Sequence, residues 1–310
     1  MKSLTVIVPC YNEEAVIAES YARLKQVLHG MENPSEIIFV NDGSMDKTAE
    51  MLTAIAANDK QVKVLSFSRN FGHQRAVTAG INYCNSDLAV IIDADLQDPP
   101  ELIPQLVETL EREQAQSVYC VRRARQGESR FKRSTAKAFY RLLNFFSEVK
   151  FPVDTGDFRL IDRNIINEFN RLSEKGKYIR GLMAWTGFKQ VPFYYEREAR
   201  AAGETKYPLS KMLRLAVTSL LYFSKKPLLL ATSLGFVSVL FALCYGLYAV
   251  LGHWLGFTHA DSGWTSLVVL IVFFGGIQLL TIGIMGAYIG SLFDEIKNRP
   301  EYIVAEKINF

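Results

Sequence analysis

The sequence has few cysteines for its length, and none is spaced as a metal or disulfide motif. Its 310 residues include four cysteines, with no Cys-x-x-Cys pair among them. This excludes a disulfide-rich secreted scaffold and a structural zinc site built on cysteine. It indicates a reducing compartment, in which each cysteine packs as a small apolar side chain. The four are Cys10, Cys84, Cys120 and Cys244.

Two glycine-rich phosphate-binding motifs are also missing. The chain contains no Gly-x-Gly-x-x-Gly segment and no Gly-x-x-x-x-Gly-Lys segment. Each of these motifs wraps backbone N–H groups around phosphates. Their absence weighs against a dinucleotide-binding fold and against a P-loop NTPase.

Charged residues are scarce near the carboxyl terminus. Residues 227–310 include three basic and five acidic residues, and the stretches 227–260 and 262–293 contain no Asp, Glu, Lys or Arg. Because a bilayer core of about 30 Å needs about 20 helical residues, each stretch is long enough to cross once. Two buried helices of a soluble core are the alternative, but such helices seldom run this long without a charge. The pattern predicts a transmembrane hairpin.

Basic residues flank the outer ends of this hairpin. Lys225 and Lys226 precede the first stretch, Lys297 and Arg299 follow the second, and the connecting loop has neither Lys nor Arg. The positive-inside rule then places both termini in the cytoplasm. We expect a multi-pass protein of the inner (cytoplasmic) membrane whose large amino-terminal part is cytoplasmic.

Short runs rich in β-branched residues alternate with helical patterns before this hairpin. The predicted strands are 4–8, 36–41, 62–66, 88–93 and 117–121. Such alternation is typical of an α/β fold with a mostly parallel sheet. Ligands bind such sheets at the carboxyl ends of the strands.

Acidic and amide side chains follow three of these strands. The segments are CYNEE after the first strand, NDGS at the end of the second and DADLQ at the end of the fourth. Carboxylates gathered at one sheet edge repel each other unless a positive charge neutralises them. A divalent cation with a phosphate-bearing ligand would neutralise them.

The DADLQ segment has the ligand types of a hard metal site. Asp98-Pro99-Pro100 ends the strand, so Asp93 and Asp95 need not point to opposite faces. Their carboxylates and the amide oxygen of Gln97 suit Mg²⁺ or Mn²⁺. Asp-x-Asp alone is more often a solvated turn, but the apolar run before it and the prolines after it favour the metal site.

Five segments together resemble the polyprenyl-phosphate glycosyltransferases of glycosyltransferase family 2. Within that family the chain is similar to the bactoprenol glucosyltransferases, which are related to the dolichyl-phosphate mannose synthases. The matching segments are VIVPCYNEE at 6–14, VNDGS at 40–44, SRNFG at 68–72, DADLQDP at 93–99 and GDFRL at 156–160. The resemblance spans nearly the whole chain and includes the paired apolar stretches.

The resemblance implies a GT-A nucleotide-sugar-binding domain joined to interfacial amphipathic helices and a two-helix transmembrane hairpin. The expected boundaries are a cytoplasmic catalytic domain at 1–204, an interfacial helix at 205–226, a membrane region at 227–293 with helices at about 228–251 and 266–292, and a cytoplasmic tail at 294–310.

The resemblance also assigns roles to individual residues. Donor binding is expected of Pro9, Tyr11, Asn12, Glu13, Asp42, Arg69, Gln74, Asp93, Arg200 and Lys206, metal binding of Asp93, Asp95 and Gln97, and catalysis of Asp157 and Asp95. Carboxylates can accept hydrogen bonds from ribose hydroxyls and a uracil N–H, and a metal offsets diphosphate charge. Alternatives stay open, since NDGS could be a simple turn and the segment 200–207 a flexible linker.

A basic segment is the candidate acceptor site. Residues 122–141 include eight basic residues and one acid. Arg133, Lys137 and Arg141 recur every four residues opposite an apolar face, as in a helix lying on an anionic membrane. Nucleic acid is the competing partner, but the two apolar stretches favour a lipid. Arg122 and Arg133 are assigned to the acceptor phosphate.

These features predict transfer of a hexose from a nucleotide sugar to undecaprenyl or another polyprenyl phosphate. A phosphate monoester with a second pKa of about 6 is mostly a dianion at neutral pH and needs no strong base. The reaction is expected to be metal-dependent and inverting, and to serve O-antigen or other cell-envelope glycosylation. The resemblance favours UDP-glucose, while GDP-mannose, UDP-galactose, UDP-GlcNAc and an amino-arabinose donor remain open.

Other hypotheses remain at this stage. A processive polysaccharide synthase usually has a Gln-x-x-Arg-Trp motif, which is absent, and a non-catalytic lipid-binding protein would not require Asp93, Asp95 and Gln97. Asp157 could be a base or a positioning residue, and it would repel a phosphate unless Arg159 or another cation paired with it. Glycines in the second apolar stretch allow close helix packing, within the hairpin or in a homo-oligomer.

Overall fold

The structure, a computed structural model, describes residues 2–122, 155–175, 177–196, 225–255 and 263–310. These residues divide into two compact units. The first contains the described residues up to 196 together with Arg299–Phe310, and the second contains the described residues from 225 to 298. Both interfacial helices expected from the sequence, and the candidates Arg133, Arg200 and Lys206, lie outside the described residues.

The first unit is built on one eight-stranded sheet in the order β7-β5-β6-β4-β1-β2-β3-β8. Its strands are β1 (Leu4–Cys10), β2 (Ser35–Asn41), β3 (Val62–Phe67), β4 (Leu88–Ile91), β5 (Ser117–Arg122), β6 (Thr155–Asp162), β7 (Gln190–Tyr195) and β8 (Val304–Ile308). Its α-helices are α1 (Ile17–His29), α2 (Thr48–Asn58), α3 (His73–Tyr83), α4 (Ile103–Arg112), α5 (Arg163–Arg171) and α6 (Ile179–Trp185), with a 3₁₀ turn at Pro100–Leu102.

All five predicted strands are confirmed, and the α/β class with them. The pairs β1–β2, β1–β4, β2–β3 and β5–β7 are parallel, whereas β4–β6, β5–β6 and β3–β8 are antiparallel. Strand β4 ends at Ile91, so that Asp93 lies just past the strand and not at its end. Strands β6, β7 and β8 were not predicted.

Burial explains why β1 is the centre of the sheet. Every residue of its sequence LTVIVPC is buried, as a strand covered on both faces requires. Helix α3 approaches β1 closely at Gly80, where an added Cβ would lie 2.2 Å from Cγ2 of Ile7. The glycine therefore sets the distance between this helix and the sheet.

Strand order creates a crevice at one edge of the sheet. Strands β2 and β3 lie on one side of β1, and β4 lies on its other side. This reversal of direction is the position at which open α/β sheets bind ligands. The carboxyl ends of β1, β2 and β4 meet there.

Strand β6 brings a distant segment to the same edge. It runs antiparallel to β4, with Leu88 opposite Asp162 and Ile91 opposite Arg159. Continuing this register past the end of β4 places Asp157 opposite Asp93. The GDFRL segment thus enters the sheet beside the DADLQ segment.

The second unit contains two long helices, α7 (Lys226–Trp254) and α8 (Trp264–Ile296). Within them, Lys226–Gly252 and Ser266–Ile296 are long and apolar enough to cross a membrane. The helices contact each other, with the rings of Phe241 and Phe274 6.5 Å apart. Most of their apolar side chains are exposed, as lipid-facing side chains would be.

Cysteine packing follows the prediction in three of four positions. All four thiols are free, and Cys10, Cys84 and Cys120 are buried. The prediction was wrong for Cys244, which is exposed. The physical reason is its position on α7, whose surface is largely uncovered.

Candidate nucleotide-sugar site

The loops after β1 and β2 are fastened to each other by side chains. Asn12 has a left-handed backbone with φ 56°, and its Oδ1 accepts the Met45 N–H at 2.8 Å. In return the Asn12 N–H donates to Ser44 Oγ at 3.0 Å, and the Glu13 N–H donates to Thr48 Oγ1 at 2.8 Å. These bonds form one wall of the crevice.

The ring next to this wall is accessible to a ligand. Tyr11 is 43% exposed, whereas Pro9 is buried inside β1. An exposed aromatic ring at the switch point offers a flat apolar surface for a nucleobase. Of the candidates in the first motif, Tyr11 is therefore the one best placed to stack against a ligand.

Asp42 fastens β2 to the segment that precedes α3. It is 2% exposed, and its two carboxylate oxygens accept the N–H groups of Phe71 at 2.7 Å and Gly72 at 2.9 Å. Burial raises the pKa of Asp42, and these two hydrogen bonds lower it without cancelling the rise. The carboxylate thus shapes the crevice through the SRNFG segment.

Gly43 is required for the same contact. Its φ is +66°, and an added Cβ would lie 2.3 Å from the carbonyl carbon of Arg69. Arg69 itself places its guanidinium over the ring of Phe71 at 4.1 Å and donates to the carbonyl of Asn70. The NDGS segment at the end of β2 packs directly on the SRNFG backbone.

The DADLQ segment presents oxygen atoms to the crevice from a strained turn. Leu96 has φ 58°, rare for a branched residue, and the Gln97 N–H donates to Asp95 Oδ1 at 3.1 Å. The side chain of Asp93 is 29% exposed. Burial, with the nearby carboxylates, raises its pKa to about 6 although His73 opposes the rise. A cation at this position would lower the free-energy cost of ionising the Asp93 carboxyl group.

Gln97 offers a buried amide oxygen to the candidate metal site. The residue is 7% exposed, and its Oε1 is buried with no hydrogen-bond partner among the described residues. Buried acceptors are normally satisfied. Two carboxylates and this amide oxygen fit a hard divalent cation, although no group of three or more His, Cys, Asp or Glu side chains in the described ranges forms a metal cluster.

Asp157 lies within a cage of donors. Its Oδ1 accepts Nε of Arg180 at 2.7 Å, and its Oδ2 contacts His73 Nε2 at 3.1 Å and Gln74 Nε2 at 3.3 Å. Burial would raise the pKa of Asp157, but Arg180 and His73 hold it well below its usual range. The carboxylate is an anion at neutral pH and a weak proton acceptor.

Arg180 and His73 are cationic side chains that contact Asp157. Arg159, the alternative raised by the sequence, is 2% exposed and donates to Sδ of Met183 at 3.2 Å and to the carbonyl of Gly156 at 3.4 Å. Burial opposes protonation of His73, yet the hydrogen bond to Asp157 and the Asp93 carboxylate raise the pKa of His73 to about 9. The negative charges of Asp93 and Asp157 are therefore partly neutralised by His73 and Arg180.

Gln74 acts as a bridge. Its Nε2 donates to Asp157, and its Oε1 accepts the Ile179 N–H at 3.2 Å. The same side chain thus joins α3 to β6 and to the start of α6. The resemblance assigned Gln74 to donor binding, whereas in the structure its two polar groups contact Asp157 and the Ile179 backbone.

Arg122 lies at the end of β5 in a separate buried group. Its Nε donates to the Tyr195 hydroxyl at 3.4 Å, and its Nη2 lies 3.9 Å from Asp98 Oδ2. The Tyr195 hydroxyl also donates to Asp98. An added Cβ at Gly156 would lie 2.9 Å from Nη2 of Arg122. This group fixes the guanidinium directly after the DADLQ segment and next to Asp157.

The structure adds four residues that sequence reasoning missed: His73, Arg180, Asp98 and Tyr195. His73 directly follows the SRNFG segment and Asp98 directly follows Gln97, so their positions carried a signal. Arg180 and Tyr195 belong to no recognised motif. Only the packing of α6 and β7 places them here.

Comparison with known proteins places these residues in a family context. The profile described as "Glycosyl transferase family 2" matches residues 5–169. An uncharacterized glycosyltransferase, YkcC, of Bacillus subtilis (strain 168) is 48% identical over 97% of this chain and 92% of its own length. A prophage bactoprenol glucosyl transferase homolog of Escherichia coli (strain K12) is 38% identical over 97% of this chain and 98% of its own length.

The bactoprenol glucosyl transferase of Shigella phage SfII is 37% identical over 97% of both chains. Among solved structures, this chain is similar to glucosyl-3-phosphoglycerate synthase from Mycobacterium tuberculosis in complex with Mn²⁺, UDP-glucose and phosphoglyceric acid. That likeness has 22% identity and a TM-score of 0.48, and it covers 71% of this chain and 79% of the other.

Proposed function

The chain belongs to glycosyltransferase family 2, and from this premise we propose that it transfers a hexose from a nucleotide sugar to a polyprenyl phosphate. One observation carries the proposal. Asp93, Asp95 and Gln97 follow β4 at the switch point of the sheet, and the register of β4 and β6, continued past Ile91, sets Asp157 opposite Asp93. The names of the bactoprenol relatives support a lipid phosphate acceptor.

The donor is proposed to lie along the carboxyl ends of β1, β2 and β4. Tyr11 contacts the base, Asn12 and Glu13 hold the wall beside it, and Asp42 shapes the pocket through the SRNFG segment that carries Arg69. UDP-glucose is the proposed donor, because the bactoprenol relatives are named as glucosyl transferases. Arg200 and Lys206 are proposed to close on the diphosphate.

The diphosphate is proposed to lie against Asp93, Asp95 and Gln97. A divalent cation, Mg²⁺ or Mn²⁺, would be held by these three residues and would offset the negative charge of the departing nucleoside diphosphate. Their fit rests on the unpartnered Gln97 Oε1 and on the carboxylate pair. Pro9 contributes only the buried end of β1.

The acceptor phosphate needs no strong general base to act as the nucleophile. One phosphate oxygen of the lipid forms a bond to the anomeric carbon while the bond from that carbon to the diphosphate breaks, which inverts the configuration. Arg122 and Arg133 are proposed to hold the acceptor phosphate in line. Asp157, kept anionic by Arg180 and His73, is proposed to position a sugar hydroxyl.

Membrane topology is part of the proposal. Strand β7 precedes the two long helices and β8 follows them, and both strands belong to one sheet. Since the chain leaves this domain and returns to it, we propose that the two helices cross the membrane as a hairpin with both flanks on the same side. Lys and Arg at those flanks favour the cytoplasmic side.

A homo-oligomer is proposed through the second helix. Gly283, Gly286 and Gly290 have open space where a Cβ would be added. This small-residue surface is therefore not used in the contact between α7 and α8, and it remains open to a neighbouring copy. Cross-linking in mild detergent tests this, and monomer alone would remove it.

The deciding experiment is a transfer assay. Purified full-length protein is incubated with undecaprenyl phosphate, Mg²⁺ or Mn²⁺ and a panel of nucleotide sugars, and the lipid product is identified by mass. We expect a hexosyl undecaprenyl phosphate with UDP-glucose. A product with another donor alone would replace the donor assignment, and no lipid product with any donor would overturn the acceptor assignment. No nucleic acid is expected to compete.

A further inference from the structure

The residues after α8 return to the catalytic sheet as its edge strand. Strand β8 pairs with β3, with Val64 opposite Ile308 and Phe67 opposite Val304. Asn309 secures its end, since Nδ2 donates to the carbonyls of Ala56 and Val62, each at 2.7 Å. The carboxyl terminus is thus built into the domain.

The other end of this segment contacts the root of the SRNFG loop. The Ser68 N–H donates to the carbonyl of Ile303 at 3.0 Å. The ring of Tyr302 stacks on Phe67 with centroids 5.0 Å apart and planes 14° apart, and its hydroxyl accepts from Asn82 at 2.8 Å. Tyr302 is therefore fixed on both its face and its edge.

A continuous set of contacts then leads to the donor pocket. Phe67 meets Phe71 edge to face, with centroids 5.7 Å apart. The Phe71 N–H donates to Asp42 at 2.7 Å, and the Phe71 ring lies under the Arg69 guanidinium. Each step joins groups in direct contact.

We propose that Tyr302, in the segment after α8, is a positioning residue for the donor nucleotide. It acts through Phe67 and Phe71 on the amides that hold Asp42, and touches no substrate itself. The identity of the ligand rests on the proposed function, whereas the contacts do not. The segment that carries Tyr302 follows α8 directly. It therefore connects the helix proposed to anchor the protein to the residues that contact the donor pocket.

The experiment compares Tyr302→Ala with Phe310→Ala in the full-length protein. Phe310 is a matched control, since its ring also lies in this segment and packs on Tyr83 at 5.4 Å, but it makes no ring contact with Phe67 or Phe71 among the described residues. Tyr302→Phe keeps the stacked ring and loses only the hydroxyl. Two readouts are used: affinity for UDP with Mn²⁺, and amide hydrogen exchange in residues 68–72.

We expect Tyr302→Ala to weaken UDP binding about tenfold and to speed exchange in residues 68–72 by a similar factor, because preorganisation is lost. Phe310→Ala and Tyr302→Phe should stay within about twofold of wild type in both readouts. Equal effects of Tyr302→Ala and Phe310→Ala, or unchanged exchange in Tyr302→Ala, would overturn the inference. If wild type bound no UDP, the proposed donor would fail, and the exchange comparison would still decide whether Tyr302 positions residues 68–72.

Discussion

The His73 imidazole lies between the carboxylates of Asp93 and Asp157. Its Nε2 is 3.1 Å from Asp157 and 3.7 Å from Asp93. Two carboxylates this close repel unless cations separate them. His73 and Arg180 supply that charge on the Asp157 side, and the proposed metal supplies it on the Asp93 side. We therefore propose that Asp157 is a positioning anion and that Asp93 is a ligand of the cation.

Asp157→Asn tests the positioning role. We expect turnover to fall about 100-fold, because misplacement of reacting groups costs about that much, while the KM for the donor changes less than about threefold. Steady-state kinetics with varied donor checks this. Turnover like that of wild type in the variant would dismiss the role.

Loss of Asp157 also leaves Arg180 and His73 without their shared anion, which destabilises the fold. The control is therefore the double variant Asp157→Asn, Arg180→Met, which removes the uncompensated guanidinium. We expect it to recover thermal stability and not turnover. Recovered turnover would show that the single variant had failed through stability alone.

Particular residues show how far the sequence could predict this site. Asp93, Asp95 and Gln97 follow a buried apolar strand and precede two prolines, and this local pattern was enough to propose them as metal ligands. Arg180 was missed because only the packing of α6 brings its Nε to Asp157. Strand β8 was missed because its sequence VAEKI has little apolar pattern, and its pairing with β3 is a tertiary contact.

The fold was predicted where hydrophobic periodicity determines it. The fully buried β1 has the apolar run of a central strand. In β6 the charged Asp157 and Arg159 alternate with apolar residues, and Arg159 is nevertheless buried. Such alternation is typical of a strand with one exposed polar face, so the burial of Arg159 could be found only from the structure.

Metal dependence is tested at Asp95 and Gln97. We expect Asp95→Ala to abolish transfer and chelation with EDTA to do the same, since the diphosphate charge is then uncompensated. Gln97→Glu keeps an oxygen ligand and should retain more activity than Gln97→Leu, which removes it. Activity assays over a Mn²⁺ titration measure this. Unchanged activity in Asp95→Ala at all Mn²⁺ concentrations would refute the metal assignment.

Asp59 provides a pH test outside the site. Its carboxylate lies 2.6 Å from Lys25 Nζ and accepts from the Tyr21 hydroxyl at 2.9 Å. Burial would raise the pKa of Asp59, but these partners lower it overall. A depressed folded-state pKa stabilises the protein above the unfolded-state pKa of about 4, and that stability is lost as the pH falls through the folded-state pKa.

Asp59→Asn should therefore lower the thermal midpoint at pH 7 and approach wild type as the pH falls below about 4. Thermal unfolding of both proteins between pH 7 and pH 3 measures the difference. Glu168→Gln is the control, because the Glu168–Arg171 pair is exposed and such pairs contribute little. A difference between wild type and Asp59→Asn that stayed constant with pH would contradict the expected linkage.

Gly43 and Gly187 separate the two reasons for which a loop requires glycine. Both have positive φ, +66° and +74°, but an added Cβ would lie 2.3 Å from the Arg69 backbone at Gly43 and would meet nothing within 4 Å at Gly187. Gly187→Ala should therefore cost only the left-handed backbone term of about 1–2 kcal/mol, with UDP affinity unchanged. Gly43→Ala should cost more and weaken UDP binding at least about tenfold, because the NDGS segment can no longer pack on the SRNFG segment that holds Asp42. Thermal unfolding and UDP titration measure the two effects, and equal losses of UDP affinity in both variants would show that the close contact at Gly43 does not shape the pocket.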